Sequence, residues 1–139
     1  MSTFEYRKLL RASVVLKVTY RTVKKPVFQE TVFSKNISCV SIAIINTRIF
    51  QKDTEVLLEI YPSAHQQPIL AKGRVKWQSK CSYTPKSGRQ FYVTVVVFSE
   101  MLPDDVIRTS DFVKDILLQR SQEEETRIID KIEEMANGI

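Results

Sequence analysis

The sequence predicts a mostly β domain: a six-stranded antiparallel barrel followed by a C-terminal α-helix or helices. Three observations carry this. Between Ser13 and Phe98 apolar residues recur with a period near two. The segments are separated by short turns rich in Pro, Gly and Asn, with no helical stretch between them. From Pro103 onward the period lengthens to that of a helix. A chain of 139 residues suits a single core.

The first strand is expected around Val14, Leu16, Val18 and Tyr20, which alternate with Val15, Lys17, Thr19 and Arg21. Lys24-Lys25-Pro26 breaks it, because proline cannot donate to a central ladder. Val27 to Phe33 resumes as the second strand, Val40 to Ile45 forms the third and ends at Asn46-Thr47, and Val56 to Ile60 forms the fourth and ends at Pro62. Ile69 to Gln78 alternates through Ile69, Ala71, Gly73, Val75 and Trp77, which places Trp77 in the barrel wall as core. Ser79 to Gly88 is a polar hairpin connection, and Gln90 to Phe98 is the last strand.

Pro103-Asp104-Asp105 opens a helix, since proline is tolerated in the first turn and carboxylates favour the positive end of the helix dipole. Val106, Ile107, Phe112, Val113, Ile116 and Leu117 supply its apolar stripe. Ser121 and Glu124 have the spacing of a capping box for a second helix, yet nothing between Gln119 and Gln122 is a strong breaker, so one rod and two helices both remain open. Ile128, Ile132 and Met135 form an apolar seam with few partners, which points to self-association. The chain thus divides into an N-terminal segment 1–12, a barrel 13–100 and a helical extension 101–139.

Charge is unevenly spread. Residues 1–89 hold sixteen Lys/Arg against five Asp/Glu, whereas residues 90–139 hold five against eleven. The basic part attracts phosphates; the acidic part reads equally as a solvated helix. No apolar run approaches the ~20 residues that span a bilayer, and Met1 to Leu10 lacks a signal-peptide core, so a cytoplasmic location is expected. Cys39 and Cys81 read as core or edge thiols. A lone histidine, His65, leaves no Ser-His-Asp or Cys-His pairing, and there is neither a glycine-rich phosphate loop nor a metal-ligand cluster; no enzyme, cofactor or metal is expected. A nucleic-acid-binding barrel would interleave exposed aromatics with its basic residues. Here Phe28, Phe33, Phe91 and Phe98 fall in strand runs, where core is the expected fate, so nucleic acid is not an expected partner.

Two segments stand out once the strands are placed. Arg7-Lys8-Leu9-Leu10-Arg11 precedes the first strand, and Asn36-Ile37-Ser38-Cys39-Val40-Ser41 ends the second, with twenty-four residues between Arg11 and Asn36. Together they resemble the signature of the PilZ domain family, RxxxR followed some tens of residues later by D/N-x-S-x-x-G. The resemblance continues through Val75-x-Trp77, a last apolar strand and a C-terminal helix, covering roughly residues 5–118 in order and spacing.

The resemblance implies a PilZ-like barrel that binds cyclic di-GMP. An Arg guanidinium meets the O6/N7 edge of guanine bidentately, stacks on base faces and neutralises phosphates. By position, Arg7 and Arg11 serve the bases and phosphates, while Asn36 and Ser38 contact the guanine edge and the ligand backbone. Ser41, which completes the second motif, stands where the family has glycine, and Thr94 stands where a glycine is frequent in the last strand. The family pattern also implies a switch, in which the arginine segment is loose when empty and wraps over the ligand when filled, so that an as yet unknown partner protein is regulated. The alternative is a degenerate domain that acts through protein contacts, with the C-terminal helices as a homo-oligomer interface.

Overall fold

A computed structural model describes residues 10–138. Seven strands form: β1 (Arg11–Ala12), β2 (Lys17–Thr22), β3 (Gln29–Ser38), β4 (Ser41–Asn46), β5 (Glu55–Tyr61), β6 (Ile69–Lys80) and β7 (Tyr92–Met101). One helix, α1 (Pro103–Ala136), follows. All pairings are antiparallel, in the order β1-β3-β2-β5-β6-β7-β4, and β3 also pairs with β4. That last pairing closes six strands into a barrel, so the sheet keeps no open edge there. The extra strand β1 sets Arg11 opposite Ser38 and Ala12 opposite Ile37.

The expected first strand is shorter than its alternation. Ladder pairing of β2 begins only at Lys17, because the Ser34 side chain takes over the chain just before it. Ser34 Oγ accepts from Leu16 N at 2.9 Å and donates to Val14 O at 2.6 Å. The core is built from the inward positions of the strands, with Val18, Tyr20, Ile37, Ile42, Ile44, Leu58, Ile60, Ile69, Val75 and Val96 fully enclosed.

The register assigns the barrel two rims. The start of β2, the end of β3, the start of β4 and the end of β7 share one rim; the β2–β3 hairpin, the end of β4, the start of β5 and the β6–β7 loop share the other. Helix α1 packs at the first rim, here called proximal. Its Val113 is buried in the barrel core, with Phe112, Ile116 and Leu117 packed around it. Its first turn is tied down by Asp105, whose Oδ2 accepts from Leu70 N at 3.3 Å, and by Arg108, which pairs with Asp105 Oδ1 at 3.1 Å and donates to the carbonyls of Gln67 and Pro68. Val106 and Ile107, expected in the stripe, face solvent instead.

The helix runs unbroken through Ser121, so the capping box expected for a second helix does not form, and the tail is one rod. Beyond Leu117 every described residue is exposed, including Ile128, Ile132 and Met135. At 1.5 Å per residue this free part projects about 28 Å.

Three register shifts bend the barrel: one in β3 between Ser34 and Asn36, one in β7 at Ser99 opposite Lys72/Gly73, and one in β6 between Val75 and Trp77. The last one overturns the expected place of Trp77. A bulge adds one residue and inverts the in–out alternation beyond it. Trp77 therefore turns outward, 51% exposed, and Gln78 turns into the barrel in its place. The expectation of buried phenylalanines fails similarly at Phe33, which is 54% exposed because Val32 and Ser34 beside it point inward, and at Phe28, which is exposed on the hairpin. Phe91 and Phe98 are half-buried.

Candidate functional site

Arg11, Asn36, Ser38 and Ser41, far apart in sequence, meet at the proximal rim. The pairing of β1 with the end of β3 sets Arg11 beside Ser38, and the tight turn into β4 returns Ser41 to the same place. Arg11 reaches across both strands: Nη1 donates to Asn36 Oδ1 and Nη2 donates to Ser41 Oγ. Partial burial pulls the Arg11 guanidinium below its ordinary pKa. It stays charged at neutral pH, as arginine does in proteins.

Ser38 plays a different part from its neighbours. Its side chain is buried, and Oγ accepts from Val40 N at 3.2 Å and from Ser41 N at 3.1 Å. A serine hydroxyl that caps backbone amides two and three residues on fixes a turn. Ser38 shapes the motif from below, while Arg11 and Asn36 present its outer side. Arg7 lies outside the described residues.

Ser41 needs no left-handed backbone. Among the described non-glycine residues only Asp53 has positive φ, at 69°. The difference between serine and glycine at this position is thus its Cβ and hydroxyl, and the hydroxyl is what Arg11 holds.

The helix adjoins this site. Arg120 donates to the carbonyl of Ser13, two residues past Arg11, so the rod is tied to the segment that carries the arginine. Among the described residues three grooves lie away from the motif. One of about 610 Å³ runs over the outer wall beside Leu57, Leu70 and Leu102, and two lie at the distal rim; the motif residues line none of them.

At the opposite end of the barrel a polar network fills the interior. Thr94 Oγ1 donates to Asn46 Oδ1 at 2.6 Å and accepts from Gln78 Nε2 at 2.6 Å; Gln78 Oε1 accepts from Phe50 N at 2.8 Å. Thr94 is therefore a buried structural link, a role that glycine could not fill. Tyr20 adds to it, donating to Glu30 Oε1 at 2.7 Å, while Thr47 donates to Glu30 Oε2 at 3.1 Å. Burial first, then the Glu30 contact, pushes the Tyr20 pKa up to about 12. Cys39 and Cys81 are both half-buried. Among the described residues no group of three His, Cys, Asp or Glu side chains is placed to hold a metal ion. No described helix is long and apolar enough to cross a membrane.

No family model matches the chain, and no curated protein matches it. Solved structures do. The chain superposes on the PilZ domain with c-di-GMP of YcgR from Escherichia coli with a TM-score of 0.59 at 8% identity, covering 83% of this chain and 94% of that one. It superposes on the MrkH–c-di-GMP complex from K. pneumonia with a TM-score of 0.62 at 16% identity, covering 81% and 53%. The Bacillus subtilis inhibitor of motility (MotI/DgrA) gives a TM-score of 0.61 at 21% identity, covering 79% and 50%. The chain spans about half the length of the latter two proteins. The closed six-stranded barrel, its extra strand and its C-terminal helix make this a PilZ-like fold.

Proposed function

We propose that this domain binds cyclic di-GMP at the proximal rim and acts as a receptor or adaptor rather than as an enzyme. The observation that carries the reading is the convergence of Arg11, Asn36, Ser38 and Ser41 on one small surface. The superposed YcgR domain and MrkH complex, both solved with c-di-GMP, support it. Arg11 supplies the charge and the fork for a guanine edge or a phosphate, and Arg7 joins it from the segment before β1. Asn36 contributes an amide to the guanine edge, and Ser38 together with Ser41 shapes the ligand-facing turn.

The site is satisfied from within, since Arg11 donates to Asn36 and Ser41. Ligand must displace those contacts. Because Arg120 holds the Ser13 carbonyl, movement of the arginine segment is passed to α1. That is a physical route from ligand to a regulated cytoplasmic partner. Arg11→Ala tests the site: one bidentate base contact is worth about 1–3 kcal/mol, so calorimetry should show cyclic di-GMP affinity falling about 5- to 150-fold. Equal affinity in the variant would move the site elsewhere.

The exposed seam of Ile128, Ile132 and Met135 favours a second reading, in which the rod is an oligomerisation or partner-binding arm with or without nucleotide. Light scattering separates the two, since only the second needs the seam.

A further inference from the structure

From the distal rim, on the opposite end of the barrel from Arg11, we propose a second ligand site, one that binds single-stranded nucleic acid. Two adjoining grooves of about 620 and 450 Å³ open there and share Ile49, Phe50 and Lys52. Lys24, Lys25, Arg48, Lys52, Lys76 and Lys80 line them, against two carboxylates, Asp53 and Glu55. Glu55 is already engaged by Lys72 at 3.6 Å and Arg74 at 3.4 Å. Among the described residues none of the six cations forms an ion pair. The β6–β7 loop at the same rim adds Lys86 and Arg89. Such a concentration of unneutralised charge favours a polyanion.

Aromatic surfaces decide which polyanion. Trp77 is 51% exposed and stands between Lys76 and Lys80 on the groove wall. The Arg48 guanidinium lies 3.7 Å over the ring of Phe28, which is 37% exposed, so a cation and an aromatic plane are already paired at the groove. Tyr83, in the β6–β7 loop, is 74% exposed. Exposed rings interleaved with cations match stacked bases joined by phosphates, whereas an acidic polypeptide would use the cations and leave the rings idle.

These groups stand on a built frame. The Val75/Trp77 bulge turns Trp77 outward, and the side chain that turns inward, Gln78, holds the first turn of the loop carrying Arg48 at two points, Phe50 N and the Arg48 carbonyl. Asn46 holds the same carbonyl at 3.0 Å. Positioning by strands and a buried network keeps the stacking groups in place before the ligand arrives. Single strands suit the site better than a duplex, whose bases are already stacked.

The test is independent of the cyclic di-GMP reading. Labelled single-stranded DNA and RNA oligonucleotides of mixed sequence are titrated with the full chain, and anisotropy is read beside the fluorescence of Trp77, the sole tryptophan. Binding is expected at low salt, with Trp77 quenched and affinity falling steeply as salt rises. Trp77→Ala should weaken binding about 5- to 100-fold, the cost of one lost base stack. Lys76→Glu combined with Lys80→Glu should weaken it at least about tenfold through lost phosphate contacts. The same double variant should melt like the parent and leave the cyclic di-GMP titration unaltered, which excludes misfolding. Three results would overturn the proposal: no binding at low salt, binding without Trp77 quenching, or equal binding of polyglutamate, which would assign the rim to an acidic protein segment.

Discussion

Replacing Ser41 by glycine should tighten cyclic di-GMP binding. The Ser41 hydroxyl is one of two acceptors that hold the Arg11 guanidinium, the other being Asn36. A hydrogen bond to a charged group is worth about 1.5–3 kcal/mol net when enclosed. Arg11 is largely solvent-facing, so screening reduces the figure to about 1 kcal/mol. Removing the competitor thus frees about that amount for the ligand, a gain of roughly five- to tenfold in affinity. Ser41→Ala separates the two contributions, since alanine keeps the Cβ and deletes the hydroxyl. Calorimetry on the parent and both variants reads the effect directly. If the latch dominates, alanine and glycine gain alike; if the Cβ also crowds the ligand, glycine gains more. Weaker binding in both variants would refute the reasoning and make the Ser41 hydroxyl a ligand contact.

Three further outcomes follow from packing, titration and the free rod. Gly73→Ala should destabilise the barrel by about 1–3 kcal/mol in chemical denaturation, because an added Cβ meets Val96 Cγ1 at 2.5 Å and the Val97 carbonyl oxygen at 2.9 Å; a change within about 0.5 kcal/mol would show that β7 yields freely at that point. Tyr20 has a folded pKa raised to about 12 from its ordinary 10, so it favours folding below pH 10 and loses that contribution as pH rises through 12, about 2–3 kcal/mol in all. Tyr20→Phe should flatten the stability profile in that window, and an unchanged slope would show that other groups set it. Ile128→Asp with Ile132→Asp should lower the mass found by light scattering if the rod pairs subunits, while a parent already monomeric at high concentration would remove the oligomer reading.

Much of this architecture was legible because its rules are local. Six strands and the helix start follow from alternation, from Pro26 and Pro62 as breakers, and from Pro103-Asp104-Asp105 as an initiator. Bulges escape such a reading. One extra residue at Val75/Trp77 inverts every later position, so a tryptophan placed in the core by period two stands in solvent and a glutamine takes the interior. The two-residue strand β1 is too short to show a period, and it is what brings Arg11 to Ser38. At Ser121 a capping pattern was present without a stop signal ahead of it, and helix propagation ran through it. The gathering of the motif side chains was foreshadowed by their spacing. The division of labour within it was not, since whether a serine faces a ligand or caps its own turn depends on how Ser38 packs under Val40 and Ser41.

The most direct test is a calorimetric titration of the parent protein with cyclic di-GMP, with GTP and cyclic AMP as controls. Selective saturable binding at micromolar or tighter affinity is the expected result, and it would establish the domain as a cyclic di-GMP receptor. Absence of binding in physiological salt, with the Ser41→Gly variant equally silent, would contradict the account and turn attention to the exposed rod and the distal rim.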